Sequence, residues 1–176
     1  KGSSLCAIKN GISVDTSMGL TPIEGTMMGT RCGDIDPGIP PFIMHHQEVS
    51  PREMDTILNQ KSGVLGVTGR FKDRRDIIDQ IAAGNERCRL ALEMETYRLK
   101  KYIGAYLAAV GRLDALVFTA GVGVMGWQLR EKALAGLEEM GIELDLEKNR
   151  KAVSLKSEAE VSAPASRVKI FIIPTA

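Results

Sequence analysis

A glycine-rich turn is the clearest candidate for binding chemistry in this sequence. Gly121, Gly123 and Gly126 are spaced as G-x-G-x-x-G directly after the apolar segment Asp114–Ala120, and Asp145 follows further along the chain. Such a turn between a strand and a helix lets backbone N–H groups approach a pyrophosphate, and an acidic residue roughly 20 residues on can bind a ribose. The pattern fits a nicotinamide dinucleotide, another nucleotide-binding fold, or a turn that binds nothing.

A second candidate is the long loop Asp15–Pro37, which carries hydroxyl groups, several carboxylates and one arginine, Arg31. Loops of this length are uncommon in compact domains unless they are functional. Arginine suits the binding of a transferring phosphoryl group or a carboxylate, because its planar guanidinium donates two parallel hydrogen bonds and stays protonated. The alternative is a structural loop in which Arg31 pairs with Asp34 or Asp36.

The cysteines and histidines do not predict a metal site. Cys6, Cys32 and Cys88 are far apart, and the two histidines are the neighbours His45 and His46. A structural zinc site needs four such ligands at short spacings. Nothing in the sequence supplies a general base that would activate Cys32 as a nucleophile. We expect reduced thiols, which are typical of a cytoplasmic protein.

Composition places the chain among ordinary soluble globular proteins. Of its 176 residues 44% are hydrophobic and 26% charged, which excludes disordered, collagen-like and coiled-coil chains. The formal charge of +1 provides no broad field that would favour nucleic acid or an anionic membrane. We expect no signal peptide, and Ala115–Leu129, the longest uncharged segment, is too short to span a bilayer. Because the chain begins at Lys1 rather than Met and stops soon after an apolar segment, we expect both ends to be cut.

Local signals predict two elements in the first part of the chain. Asn10-Gly11 between two apolar segments predicts a hairpin over residues 3–16. Ser50 followed by proline predicts the start of a helix that runs to about Asn59. Residues 16–41 lie between them and show no clear periodicity.

The rest of the chain is predicted to alternate helices and strands. Apolar residues at helical spacing predict a long helix over Asn85–Val110, and Asp114–Ala120 predicts a strand covered on both faces. A helix over about Gln128–Met140, a strand over Ile142–Leu144 and a buried strand over Arg167–Ile173 follow. This order predicts an α/β fold in which helices pack on a mixed sheet.

Several segments resemble the motifs of the acetokinase (acetate kinase) family. Asp15–Pro37 matches the second signature of that family almost letter for letter, and Gly2-Ser3-Ser4 matches the end of its phosphate-binding loop. Other matching segments are Lys61–Gly66, Asp73–Ile77, Gly84–Arg87, Lys101–Gly104, Asp114–Gly123 and Ile173–Thr175. On these segments, which are spread over nearly the whole chain, the sequence is identified as a member of the family.

The resemblance implies one half of the two-domain, ribonuclease H-like fold shared by sugar kinases, heat-shock ATPases and actin. Residues 1–176 would form its C-terminal nucleotide-binding domain, with the N-terminal domain absent. The implied reaction transfers the γ-phosphoryl group of ATP to acetate, reversibly and with Mg²⁺, and gives acetyl phosphate and ADP. The resemblance also implies a cytoplasmic homodimer. The acetate pocket, a catalytic aspartate and the Mg²⁺ ligands would lie outside this chain, so we predict that the isolated chain is inactive.

The resemblance also assigns roles to individual residues. Arg31 corresponds to the arginine that stabilises the transition state, and Gly2 belongs to the phosphate loop. The residues implied to bind adenosine are Asp73, Arg74, Arg75, Gly121, Val122, Gly123, Val124 and Met125. Val124 and Met125 stand where the family has Glu and Asn, so backbone contacts from Gly121 and Gly123 are expected there instead of polar side-chain contacts. The alternatives are a non-catalytic nucleotide-binding or dimerising fragment, and a nicotinamide-binding oxidoreductase domain built on residues 121–126.

Overall fold

A computed structural model describes residues 2–175, and the chain divides into two compact units, Lys1–Arg98 and Leu99–Ala176. The elements in chain order are β1 (Cys6–Lys9), β2 (Ile12–Thr16), α1 (Ile39–Gln47), α2 (Pro51–Gln60), α3 (Gly63–Thr68), α4 (Arg74–Ala82), α5 (Glu86–Val110), β3 (Ala115–Thr119), α6 (Ala120–Met125), α7 (Trp127–Leu134), α8 (Leu146–Lys151), β4 (Ala159–Glu160) and β5 (Lys169–Ile173). The mixed α/β fold class predicted from the sequence is confirmed.

The first unit opens with the predicted hairpin. β1 and β2 pair antiparallel, with Lys9 opposite Ile12. Asn10 (φ 54°) and Gly11 (φ 77°) fill the two turn positions with positive φ. This backbone geometry matches the right-handed twist of the flanking strands, and Asn-Gly adopts it at little cost. The dipeptide therefore identified the turn correctly.

Helix α2 begins as predicted, and α1 was missed. Ser50 and Glu53 form a capping box, in which each side chain accepts a hydrogen bond from the other residue's backbone N–H. Residues of α1 were included in the segment predicted to lack regular structure. Pro40 and Pro41 lie in its first turn, where proline is tolerated because the N–H groups there have no intrahelical partner.

The long helix α5 supplies much of the core of the first unit. The residues that form this cluster are Met27, Val64, Ile77, Cys88 and Ala91. They come from the long loop, α3, α4 and α5, and all are less than one tenth exposed. Because Met27 belongs to the loop Asp15–Pro37, the core anchors that loop as well as the helices.

The second unit contains a three-stranded sheet in the order β3-β5-β4. β3 and β5 run parallel, with Phe118 opposite Ile172, and β4 is antiparallel to β5. Phe118 and Ile172 are buried, but Val117 is 47% exposed. The prediction that β3 is covered on both faces is therefore wrong for this chain. An apolar strand needs packed elements on both sides to be fully buried, and one face of β3 lies open within residues 2–175.

Two further predictions in the second unit need correction. The helix predicted over Gln128–Met140 is divided into α7 and a 3₁₀ turn at Glu138–Met140. Gly136 lies between them with φ 81°, a conformation that ends a helix. The strand predicted over Ile142–Leu144 forms a single bridge to Ser162 instead of a ladder.

Candidate active site

The backbone of the loop around Arg31 is fixed by the segment Ser62–Leu65, which comprises the residue before α3 and the first turn of that helix. Three backbone N–H groups of that segment donate to loop carbonyls: Ser62 to Thr30 (3.0 Å), Val64 to Met28 (2.9 Å) and Leu65 to Gly29 (2.9 Å). The Thr30 hydroxyl also donates to the carbonyl of Asn59 at 2.9 Å. The loop has no helix or strand of its own, yet these bonds give its backbone a defined path past Arg31.

Gly63 makes this close approach possible. Its φ of +60° belongs to the left-handed region, which costs a residue with a Cβ about 1–2 kcal/mol. A Cβ at this position would also overlap the carbonyl oxygen of Met28 and lie 2.5 Å from that of Arg31. Both the conformation and the space therefore require glycine.

Asp34 closes the loop on itself. Its N–H donates to the carbonyl of Gly25 at 2.9 Å, and its carboxylate accepts from the Gly25 N–H at 2.8 Å. It also forms an ion pair with Arg98, 3.6 Å apart. The structure does not favour Arg31 as the ionic partner of Asp34 or Asp36, because Arg31 forms no ion pair within residues 2–175. Its guanidinium instead lies 3.5 Å from the carbonyl of Pro22.

Gly2 lies directly beside the Arg31 guanidinium. A Cβ on Gly2 would be 2.8 Å from Nη1 of Arg31, so two of the residues singled out in the sequence are brought together. A depression of about 320 Å³ is lined by Arg31 together with Thr30, Asp55, Asn59 and Gln60. A partly exposed guanidinium without an ionic partner beside a bare backbone segment is suited to binding an oxyanion.

The three side chains of the segment Asp73–Arg75 lie in different environments. Asp73 is the N-cap of α4, and its carboxylate accepts from the Arg75 N–H at 2.9 Å. Arg75 is exposed and forms an ion pair with Asp73 at 3.2 Å. The hydrogen bonds that Arg75 donates to the Asp73 carboxylate, together with the negative charge of that group, raise the pKa of Arg75 above its usual value. Asp73 and Arg75 thus present polar groups at the surface of the first unit.

Arg74 points away from that surface and pairs with the buried carboxylate of Glu95 on α5. The Glu95 side chain is 5% exposed and the Arg74 side chain 25%. Burial lowers the pKa of Arg74 to about 10, and the charge of Asp73 opposes the shift. The guanidinium therefore stays charged at neutral pH and ties the start of α4 to α5. Arg74 was predicted to bind adenosine, but the structure places its guanidinium on Glu95.

The turn Gly121–Met125 forms the short helix α6 rather than an open loop. Gly123 and Val124 are buried, Val122 is half-buried, and Gly121 and Met125 are exposed. The residue before Gly121, Ala120, has φ +56°, which is uncommon for a residue with a side chain. Because the Val124 side chain is buried, the most accessible groups of this segment are the Gly121 backbone and the Met125 side chain.

The remaining residues of the G-x-G-x-x-G pattern have structural roles. A Cβ on Gly126 would lie 2.6 Å from the carbonyl of Val122, so this glycine permits the change of direction between α6 and α7. Asp145 is the N-cap of α8 and accepts from the N–H groups of Glu147 and Lys148 at 3.1 and 3.0 Å. Its carboxylate therefore caps the N-terminus of α8, and this capping role explains the presence of an acidic residue here.

Sequence analysis did not single out two buried charged residues that bind these segments. Glu95 lies three residues after Leu92, on the apolar stripe of α5, and a carboxylate on such a stripe could have indicated a buried ion pair. Arg130 is fully buried beneath α6, and no local pattern in the sequence marks it.

The histidines and cysteines of residues 2–175 form no group of three or more potential metal ligands with each other or with the carboxylates. His46 stacks on Phe42 with ring centroids 4.1 Å apart, and Cys88 is buried in the core. Burial raises the pKa of the Cys32 thiol, which keeps it protonated at neutral pH. Within the same residues, no helix combines the length and apolar character needed to cross a membrane.

Comparison with known proteins identifies the family of this chain. The model of the Acetokinase family matches residues 1–176. The chain belongs to the acetokinase family. Curated relatives include the acetate kinases of Geobacter sulfurreducens (62% identical over 174 residues) and Methanosarcina barkeri (50% over 174 residues). Each alignment covers 99% of this chain and 41% or 42% of the relative, so the chain spans about two fifths of their length.

Solved structures of an acetate kinase and a propionate kinase match the fold closely. The acetate kinase of Porphyromonas gingivalis superposes with a TM-score of 0.95 at 47% identity, and covers 99% of this chain and 43% of its own. A propionate kinase of Francisella tularensis matches with a TM-score of 0.91 at 36% identity, covering 99% and 44% of the two chains. The family match includes the loop Asp15–Pro37, for which the nicotinamide interpretation offers no role.

Proposed function

We propose that this chain supplies the nucleotide-binding half of an acetate kinase, which transfers the γ-phosphoryl group of ATP to acetate and releases acetyl phosphate and ADP. The observation that carries the proposal is the placement of Arg31. Its guanidinium is partly exposed, lies beside Gly2 and forms no ion pair within residues 2–175. Family membership and the names of the relatives support the reaction class.

In the proposed step a carboxylate oxygen of acetate attacks the γ-phosphorus of ATP. The bond from that phosphorus to the β,γ-bridging oxygen breaks, and ADP leaves with the electron pair. The attacking carboxylate is already ionised, so the reaction requires no general base. Such transfers depend chiefly on positioning and on neutralising the charge of the equatorial phosphoryl oxygens. Arg31 is proposed to donate two hydrogen bonds to those oxygens, with the Gly2 backbone leaving room for them.

The two segments that the family resemblance assigns to adenosine are proposed to contribute in different ways. Asp73 and Arg75 offer side chains at the surface of the first unit, whereas Arg74 acts indirectly by holding the start of α4 on α5. In the second unit, the Gly121 backbone and the Met125 side chain are the proposed contacts. Val124 is proposed to contribute only to packing, because its side chain is 7% exposed.

Further features expected of the whole protein belong to the same proposal. They are the C-terminal position of residues 1–176, a cytoplasmic homodimer, Mg²⁺ as the cation that accompanies ATP, and no nucleic-acid or membrane partner. Magnesium takes oxygen ligands and neutralises phosphate charge. Its ligands are proposed to lie outside this chain, as the family resemblance implies, and no step above is assigned to the ion.

The proposal is tested by joining this chain to the remaining length of the Geobacter sulfurreducens acetate kinase and measuring acetyl phosphate. The fusion is expected to form acetyl phosphate from ATP and acetate, and the 176-residue chain alone is expected to form none. Arg31→Gln should lower kcat/KM about 10³-fold, the scale expected for loss of one charged transition-state donor. Arg52→Gln, which replaces an exposed arginine on α2, is the matched control and should leave it unchanged.

Three results would contradict the proposal. The first is a folded fusion that forms no acetyl phosphate. The second is an Arg31→Gln fusion as active as its parent. The third is acetate-dependent ADP formation by the pure 176-residue chain, because the proposal requires both halves of the enzyme for the reaction. Propionate assayed in parallel tests the substrate range, because a propionate kinase is among the structural relatives.

A further inference from the structure

Arg130 is a fully buried cation without a carboxylate partner among the described residues. Its exposed fraction is 0%, and all its recorded hydrogen bonds go to neutral oxygen atoms. Burial lowers its pKa to about 10, so the guanidinium remains charged at neutral pH. A buried charge without a counter-ion is costly unless its donors are satisfied, and the surroundings of Arg130 therefore need an explanation.

Every N–H group of this guanidinium has an acceptor. Nη1 donates to the carbonyls of Gly123 (2.5 Å) and Val124 (2.8 Å) in α6. Nη2 donates to the carbonyls of Asn149 (3.0 Å) and Ala152 (2.9 Å), and Nε donates to the side-chain oxygen of Asn149 (2.7 Å). The four carbonyls lie at the C-terminal ends of α6 and α8, where helix carbonyls carry partial negative charge and most of them lack intrahelical partners. The ends of two helices thus solvate one cation.

Asn149 extends the same network to the residue after the turn. Asn149 is itself fully buried, and its amide donates to the carbonyl of Trp127 at 3.0 Å. The carbonyls of Gly123, Val124 and Trp127 are therefore all held by the Arg130–Asn149 pair. They flank Met125, which is exposed.

We propose that Arg130 is a positioning residue for nucleotide binding, which fixes the turn Gly121–Met125 by bonding the carbonyls of Gly123 and Val124 from beneath. The inference rests on the proposed function, because that function makes this turn a nucleotide contact. Arg130 itself does not touch the ligand. Its effect is to keep the Gly121 backbone and the Met125 side chain in one orientation before the nucleotide arrives.

The chain contains a single tryptophan, Trp127, two residues after the turn, which serves as a built-in probe. Binding is measured by titrating the 176-residue chain with ADP while following Trp127 fluorescence. Arg130→Met, which keeps the length of the side chain and removes its donors, should raise the Kd for ADP at least tenfold. Arg130→Lys, with three donors in place of five, should give an intermediate Kd. Asn149→Ala, which leaves the bonds to Gly123 and Val124, should raise it about threefold.

A stability control separates positioning from general destabilisation. Ile142 is fully buried in the same unit and makes no recorded bond to the turn, so Ile142→Ala should destabilise the unit yet leave the Kd for ADP unchanged. The inference is overturned if Arg130→Met binds ADP with the parental Kd, or if Ile142→Ala weakens binding as much. If Arg130→Met does not fold, Arg130→Lys decides in the same way, because it alters the bonds to Gly123 and Val124 and keeps the charge.

A readout without nucleotide keeps the two proposals distinguishable. Iodide quenching of Trp127 in the ligand-free chain should increase in Arg130→Met and stay unchanged in Ile142→Ala, because only the former releases the turn. Equal quenching in the parent and in Arg130→Met would overturn the positioning role. A parent chain that shows this quenching pattern but does not respond to ADP would instead count against the proposed function.

Discussion

Replacing Gly63 by alanine should detach the Arg31 loop from α3. The left-handed φ of +60° at this position costs alanine about 1 kcal/mol net. Part of the cost is offset because alanine also lowers the conformational entropy of the unfolded chain. The added Cβ would overlap the Met28 carbonyl and lie 2.5 Å from that of Arg31, and forced overlaps in packed regions typically cost about 1–3 kcal/mol. We therefore expect Gly63→Ala to lower the free energy of unfolding by about 2–4 kcal/mol.

Gly69 provides the matched control at the other end of α3. Its φ is +74°, but a Cβ there would meet nothing within 4 Å. Gly69→Ala should therefore cost only the conformational part, about 1 kcal/mol. Urea unfolding followed by far-ultraviolet circular dichroism measures both variants, with an unchanged m-value showing that only stability has moved. Equal losses for the two variants would refute the reasoning, because the collision with the loop would then carry no cost.

Three other perturbations have defined outcomes. Arg74→Leu should lower the free energy of unfolding by about 3–5 kcal/mol in urea, since it leaves the Glu95 carboxylate buried and unpaired, and the double variant with Glu95→Leu should recover most of the loss. A double variant no more stable than the single one would contradict this account. Ala120→Gly should raise the melting temperature, because Ala120 has φ +56° and glycine adopts this conformation without strain. Ala115→Gly in β3, the control, should lower the melting temperature. The reverse order would contradict the backbone strain assigned to Ala120. The hydrogen bond that the Lys148 backbone N–H donates to Asp145 lowers the pKa of this carboxyl below its ordinary 3.8. The ionised Asp145 therefore stabilises the fold above pH 3.8, and this stabilisation is lost as the pH falls through the lowered pKa. Asp145→Asn should accordingly be less stable than the parent in urea at neutral pH and nearly equal to it in strong acid, and a constant difference would contradict the assignment.

The elements that the sequence predicts well are those specified by neighbouring residues. Asn10-Gly11 fixes its own hairpin, and Ser50 with Glu53 fixes the start of α2. Helix α3 was not predicted, because its sequence contains two glycines and has no capping side chain. Its position depends instead on the hydrogen bonds of Val64 and Leu65 to the distant loop, and such long-range bonds have no local signature.

The candidate site shows the same division. The motif of the loop identified Arg31, but its contact with Gly2 depends on how the loop crosses the start of the chain. The adjacent residues Arg74 and Arg75 could not be told apart, since the difference is made by Glu95, 21 residues away. Burial of Arg130 depends on α6 and α8 meeting above it. A motif thus names candidates, and packing decides which of them face a ligand.

The most direct test of the central claim is a thermal-shift titration of the 176-residue chain with Mg-ATP, ADP and NADH in parallel. A ligand that binds only the folded state raises the melting temperature, and the rise grows with the logarithm of the ratio of ligand concentration to Kd. The account predicts concentration-dependent stabilisation by ATP and ADP and none specific to NADH. Stabilisation by NADH alone would contradict it and would indicate a dinucleotide site at the glycine turn.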